Sequence, residues 1–386
     1  MDIENDLPFV VLKPLYTNYV FPSKRDQFNM SKFFLIGASY RLSAFVLIVI
    51  GAVCHFIYIA KRNVEGLNAS EDIVVICAGF EIILLLVIAT ILHKKWKEFF
   101  ESILDSSIYG KPDDFDENLK QTNFLGSWLL RYYFLGCIAY ALISLLEAGN
   151  CSKIKEKYNL RNIACYTFVP IWLPFDITNR FYVVMLFTTQ FFLTMKSVEP
   201  AAMICYIVYQ CTQLFLSHIE ALKKHFNEII NAKDIEYRPD GIGYWIRYHN
   251  HLLKLGEEFR HLVKVTVGHV VLISALVFGC AETQLINGIK PFGALIFFLG
   301  WLAVVLLLCH AGETMMNSFL SVHDAVRDSD WYLCSLSVQK KVLLILLRSQ
   351  KPICLEAVPL GAMNYSLCVM IIKTSYSYMT ILNRSV

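Results

Sequence analysis

Residues 349–386 read SQKPICLEAVPLGAMNYSLCVMIIKTSYSYMTILNRSV, and the fold turns on how this stretch is read. An amphipathic piece ends at Pro352, a hinge containing Pro359 and Gly361 follows, and an apolar segment from Gly361 to Leu382 runs almost to the last residue. About 20 residues at ~1.5 Å rise each cover the ~30 Å of a bilayer's hydrocarbon core, so the segment is long enough to span. It also carries Lys373, Thr374, Ser375, Tyr376, Ser377, Tyr378, Thr380 and Asn383. Lipid satisfies none of these groups, so a last helix this polar is expected to face a pore or a tightly packed interior.

The rest of the chain supports a membrane protein. Hydrophobic residues make up 56% and charged residues 17%, with a mean hydropathy of +0.49, which excludes an ordinary soluble globular protein. A net charge of +3 gives no basis for a nucleic-acid partner. The first thirty residues contain no apolar core of the signal-peptide kind, so no cleavable signal peptide is expected. Of the 12 cysteines, only Cys151 and Cys165 share a polar loop, and they are the candidate disulfide; the others read as packing residues.

Windows of about 19 residues predict seven spans. They are Phe34–Ala60, Ile73–Leu92, Phe124–Leu146, a fourth discussed below, Val265–Leu285, Phe292–Cys309 and Gly361–Leu382. For the fourth, Phe181–Met195 and Ala201–Phe215 are each too short and are separated only by KSVEP, a cramped turn for antiparallel spans. One long helix, bent at Pro200, is the expectation over two short ones. Placing the N-terminus inside puts 23 of the 35 Lys and Arg residues in cytoplasmic stretches, so the N-terminus is expected in the cytoplasm and the C-terminus outside. Asn68 and Asn150, in glycosylation-type triplets, then fall outside.

The expected organisation is therefore all-α. Residues 1–33 form a cytoplasmic segment, and 34–195 hold spans one to three, the outer loop and the outer part of helix four. Residues 196–264 extend helices four and five into the cytoplasm, 265–317 hold spans five and six, 318–360 hold a cytoplasmic anchor helix, and 361–386 form helix seven. LSHIEALKKHFNEII, YWIRYHNHLLKLGEEFRHLVKV and Val338–Gln350 show helical apolar stripes and are expected to build an intracellular collar, within one chain or between subunits.

Candidate functional residues lie below the outer loop 148–180. Phe80, Tyr133, Cys137, Tyr140, Ser144, Tyr182, Met185 and Thr189 are the candidate ligand-binding set, and Tyr133, Cys137, Tyr140 and Ser144 share one helix face at i, i+4, i+7 and i+11. Aromatic and sulfur walls with a few hydroxyls suit a small apolar ligand, although the same stripe also serves plain helix packing. Glu81 and Arg131 lie inside spans and are expected to pair or to line a polar cavity. Arg41 is expected to snorkel to the inner interface. His249-x-His251 reads as solvent-facing helix residues rather than a metal site. Nothing in the chain matches HExxH, GxSxG, a phosphate-cradling loop or CxxC, so neither an enzyme nor a cofactor is expected.

Cys309-His-Ala-Gly312, Ser318, Ala325, Trp331, RSQKP (Arg348–Pro352) and IIKTSYSYMTILNR (Ile371–Arg384) together resemble the insect odorant receptor family. WLPFD (Trp172–Asp176), the long fourth helix and the span count agree with it, whereas the TYxxxxxQF ending of gustatory receptors is absent. The resemblance implies an odorant-gated cation channel assembled as a heterotetramer with an odorant coreceptor, in the plasma membrane of an olfactory sensory neuron. It makes this chain the odour-tuning subunit, because the coreceptor's long insertion between spans four and five is missing. It also implies a pore lined by helix seven, with Met379, Leu382 and Asn383 in the outer gate region; on a helical wheel Ile372, Ser375, Tyr376, Met379 and Asn383 form one stripe with Leu382 at its edge. The alternatives are a gustatory-type ligand-gated channel, a G-protein-coupled receptor, which would reverse the orientation, a transporter, and a helper subunit without its own ligand.

Overall fold

The computed structural model describes residues 8–22, 32–62, 69–160, 162–175, 177, 179–231, 240–288 and 290–384. Asn68 falls outside them. The chain forms α1 (Leu12–Thr17), α2 (Lys32–Arg62), α3 (Ala69–Ile91), α4 (His93–Leu104), α5 (Phe115–Lys157) and α6 (Arg180–Asn231). It continues through α7 (Asp240–Thr266), α8 (Val270–Ile286), α9 (Pro291–Arg327) and α10 (Leu336–Ser349), then a two-stranded hairpin of β1 (Glu356–Ala357) and β2 (Gly361–Ala362), and closes with α11 (Tyr365–Arg384).

Among the described residues, α2, α3, α5, α6 and α9 are each long and apolar enough to cross a membrane. The pair α7 and α8, bent by 42° at their junction, makes a sixth if counted as one span. α11 has 20 residues and is more polar; it starts at Tyr365 rather than Gly361, because Gly361 and Ala362 pair with Ala357 and Glu356 in the hairpin. The fourth span is one unbroken 52-residue helix with Pro200 inside it.

Most of the core lies toward the end of the bundle opposite the Cys151–Cys165 loop. There α4, the second half of α6, α7, the second half of α9 and α10 form the collar. Trp96, Phe99, Phe100, Phe215 and Phe259 are fully buried in it, with Phe99 stacked on Phe259 at 5.0 Å. α1 is part of this core: Val11, Leu12 and Leu15 are buried, and Phe9 packs on Phe100. Arg41 does not snorkel. It is 7% exposed and donates to the Asn18 carbonyl, tying α2 to the end of α1.

The α7–α8 junction is held from the side. Glu356 accepts from Arg260 at 2.7 Å and Lys264 at 2.6 Å, and the Val358 N–H donates to the Gly268 carbonyl at 3.0 Å. A Cβ on Gly268 would lie 2.4 Å from the Lys264 carbonyl oxygen, so the backbone turns there only with glycine.

His249 is not solvent-facing. It is 4% exposed and its ring lies 5.0 Å from that of Trp245, and no metal-holding group of His, Cys, Asp and Glu occurs among the described residues. Burial, with Arg348 nearby, pushes its imidazole down from 6.5 to about 4. Its neutral form therefore stabilises the collar fully above pH ~6.5, and that contribution is lost as pH falls toward ~4. A thermal-unfolding series from pH 7.5 to 4.5 is expected to show this loss. His249→Gln should flatten it only in part, because burial also lowers the His218 pKa.

Candidate functional site

Toward the other end, α2, α3, α5, α6, α8 and α9 line a cavity of about 200 Å³. Helical spacing on four helices supplies its wall: Val74, Val75, Ala78 and Ile82 from α3; Tyr133, Cys137 and Tyr140 from α5; Thr194, Val198, Ala201 and Cys205 from α6; Phe297, Gly300 and Trp301 from α9. Small residues facing in and aromatics at their sides leave room for a ligand at the centre.

The cavity's tyrosine hydroxyls are held by protein. Tyr132 donates to the Ile296 carbonyl at 2.8 Å and Tyr133 to the Gly300 carbonyl at 2.9 Å, fastening α5 to α9. Tyr140 donates to Glu71 Oε1 at 3.1 Å, and Lys290 bonds the same oxygen at 2.7 Å. Glu71, Tyr140 and Lys290 thus link α3, α5 and the start of α9. At another point of the wall Glu81, 2% exposed, pairs with His269 at the α7–α8 junction.

The segment 162–175 between α5 and α6 covers the cavity. Phe168 and Val169 line it, and Phe168 packs against Tyr140 and Phe191. Buried Gln190 fixes this segment: the Phe168 N–H donates to its Oε1 at 2.9 Å, and its Nε2 donates to the Val169 carbonyl at 3.4 Å. Ser144 donates to the Phe168 carbonyl at 3.2 Å. Farther along, Trp172 N–H bonds the Gly51 carbonyl at 3.0 Å, and the Cys151–Cys165 disulfide, with a Cα–Cα distance of 5.4 Å, anchors the base of the loop to α5. Gln190→Leu leaves the buried Phe168 N–H without its acceptor, at a cost of about 1–3 kcal/mol. The expected result is faster amide hydrogen exchange across 166–172 with no change in the collar.

Of the candidate ligand-binding residues, Tyr133, Cys137 and Tyr140 come together on the cavity wall. Ser144 is buried beside them but holds the covering loop instead. Phe80, Tyr182 and Met185 are 57%, 59% and 50% exposed, and Thr189 is exposed too; they face outward. On α6 the inward face passes through Gln190, Thr194 and Ala201, which leaves residues 182, 185 and 189 on the opposite side. Glu81 and Arg131 do not pair. Arg131 is exposed and lies over the Trp128 ring at 5.7 Å, while Glu81 faces His269. The reading of the sequence missed Phe168, Lys290 and Trp301; the α9 residues recur at helical spacing, but inside a run so uniformly apolar that no polar face marks which side points in.

α11 divides the proposed pore stripe. Ile372 and Tyr376 are exposed, whereas Ser375 is 1% exposed and donates to Glu282 Oε1 on α8 at 3.0 Å. Asn383 accepts from Asn287 at 3.4 Å, and Met379 and Leu382 are half-buried. The uncovered face centres on Lys373, flanked by Ser366, Tyr376 and Ser377. Asn150 is exposed near the end of α5.

Fold and cavity together define a multi-span helical membrane protein with a mainly apolar cavity between its helices. Residues 77–376 match the 7tm odorant receptor family, and the chain belongs to that family, whose members are receptors and not enzymes. Odorant receptor 67c of Drosophila melanogaster is 24% identical over 225 residues, 55% of this chain and 54% of that one. Odorant receptor 82a of the same fly is 28% identical over 155 residues, covering 37% and 40%. The chain spans about half the length of these curated relatives. The fold is similar to that of the olfactory receptor OR5 from Machilis hrabei in complex with eugenol, with a TM-score of 0.75, 14% identity and 97% of both chains covered.

Proposed function

We propose that this chain is the odour-tuning subunit of a volatile-ligand-gated, non-selective cation channel, assembled with an odorant coreceptor as a heterotetramer in the plasma membrane of an olfactory sensory neuron. The observation that carries this reading is the uncovered face of α11, where Ser366, Lys373 and Ser377 lie exposed. Lipid solvates such a face poorly, so it calls for water or another subunit, and a central pore supplies both. One feature supports assembly and another the tuning role. Leu343, Leu344 and Leu347 on α10 are 51–68% exposed, an apolar face that needs a partner. The 232–239 connection between α6 and α7 leaves no room for a coreceptor-type insertion.

Seven spans, with α7–α8 contributing one and α11 the last, follow from the apolar windows, and an N-terminus inside and a C-terminus outside from the charge bias. They agree with the disulfide, which then sits on the oxidising side of the membrane. A volatile molecule in the cavity favours one packing of the surrounding helices; α8, which lines the cavity and packs along α11, carries that preference to the pore. It opens the channel only by its differential affinity for the open state. The remaining candidate contacts, Phe80, Tyr182, Met185 and Thr189, take no part in this mechanism.

Whole-cell current in cells expressing the chain with and without the coreceptor, across a panel of volatiles and under G-protein block, tests the proposal. A rapid cation current that needs both chains and survives the block is expected. A response abolished by the block would overturn the channel mechanism.

A further inference from the structure

We infer that the cavity selects small alcohols and phenols over carbonyl compounds and ethers of the same size, through Glu81. This rests on the cavity being the ligand site. Glu81 lines the cavity and is 2% exposed. One carboxylate oxygen, Oε1, is engaged by His269 Nδ1, while Oε2 is buried and has no hydrogen-bond partner. In so apolar a wall the Glu81 side chain is costly to leave unpaired, and His269 meets only one of its two oxygens. What Glu81 lacks is a donor for Oε2.

The other polar groups do not compete for this role. Tyr132, Tyr133 and Tyr140 already donate to protein oxygens, and Trp301 Nε1 donates to Ser274 at 2.9 Å. Thr194, whose Oγ1 also lacks a partner, and Gln284 can each donate and accept, so they discriminate little between ligand types. Of the two carboxylates on the wall, Glu71 is already met by Tyr140 and Lys290, which leaves Glu81 as the acceptor with a buried oxygen still unpartnered. A ligand hydroxyl satisfies Oε2, whereas a carbonyl or ether oxygen meets it lone pair to lone pair and leaves it unpaired, the kind of mismatch on which polar sites discriminate most strongly. The volume sets the size. A cavity of ~150 Å³ holds a benzene ring, so about 200 Å³ accommodates a ring or short chain of roughly eight heavy atoms.

Benzyl alcohol, benzaldehyde and anisole are matched in size and differ in the group offered to Oε2. Their dissociation constants are to be read from the ligand-dependent rise in unfolding temperature of the full-length chain in lipid nanodiscs, a readout that needs neither coreceptor nor current. Benzyl alcohol should bind at least tenfold more tightly than either competitor. In Glu81→Gln, whose amide can donate to a carbonyl, the alcohol-to-aldehyde ratio should fall below threefold or invert. Equal binding of all three to the wild-type chain would overturn the inference and leave the cavity as ligand site, as would a ratio unchanged in Glu81→Gln. Binding of none would overturn the cavity reading itself, and this inference with it.

Discussion

Gly312→Ala is expected to prevent the chain from reaching the cell surface in folded form. A Cβ at this position would lie 2.0 Å from the Met363 carbonyl oxygen and 2.8 Å from the Met363 Cβ. Both belong to the short segment between the hairpin and α11, and the closest is backbone, so no rotamer change relieves the contact. The segment is fixed on every side: His310 bonds the Tyr365 hydroxyl at 2.6 Å, Met363 N–H bonds the Leu355 carbonyl at 2.8 Å, and Asn364 caps the start of α11 through the Leu367 N–H at 2.9 Å. Replacing a helical glycine by alanine gains about 1 kcal/mol of propensity, but overpacking against immobile atoms costs about 3 kcal/mol or more. The clash wins. Gly149→Ala in α5, where nothing lies within 4 Å of the added carbon, is the control and should be neutral or slightly stabilising. Surface labelling and unfolding temperature in nanodiscs separate the two, and a Gly312→Ala chain that unfolds at the wild-type temperature would disprove the close-packing account.

Cys137→Trp is expected to raise the half-maximal ligand concentration by about 100-fold or more while leaving surface expression intact. Cys137 is half-buried on the cavity wall between Tyr133 and Tyr140. An indole placed there fills the space from which a ligand gains its binding energy; excluding roughly 120 Å² of apolar ligand surface at about 25 cal/mol/Å² removes about 3 kcal/mol, near 150-fold. The new ring has free volume to enter, so the cost falls on the ligand and not on the fold. Dose-response curves beside surface labelling decide it: a properly expressed variant with an unshifted curve would place the ligand elsewhere.

The spans were legible because apolar windows long enough for a bilayer are rare by chance. Tyr133, Cys137 and Tyr140 were legible because a 3.6-residue period survives in the sequence of α5. Tyr182, Met185 and Thr189 carry an equally good stripe and face outward. In a membrane an aromatic or sulfur side chain is as well placed against lipid as against a ligand, so composition cannot choose between the two faces. Glu81 was visible as a buried charge, but its partner was not: Arg131 shares its depth by counting, whereas the helix rotation that turns Arg131 outward and His269 inward arises only in packing. The hairpin was hidden for a simpler reason. Two-residue strands leave no periodicity, and Gly361 reads equally well as the start of a helix.

Because α6 is a single 52-residue helix, roughly 78 Å long at ~1.5 Å per residue, it puts two unrelated faces in one angular frame. Thr194 to Cys205 point into the cavity, and Phe215 to Ile230 are buried in the collar more than two turns farther on. Inserting or deleting one residue between Cys205 and Phe215 turns one face by about 100° relative to the other and shifts it by ~1.5 Å. No loop lies between to absorb the change. Sequence length is therefore frozen along this stretch, and descendants of the chain can diversify there only by exchanging one side chain for another, while gains and losses of residues are confined to connections such as 105–114.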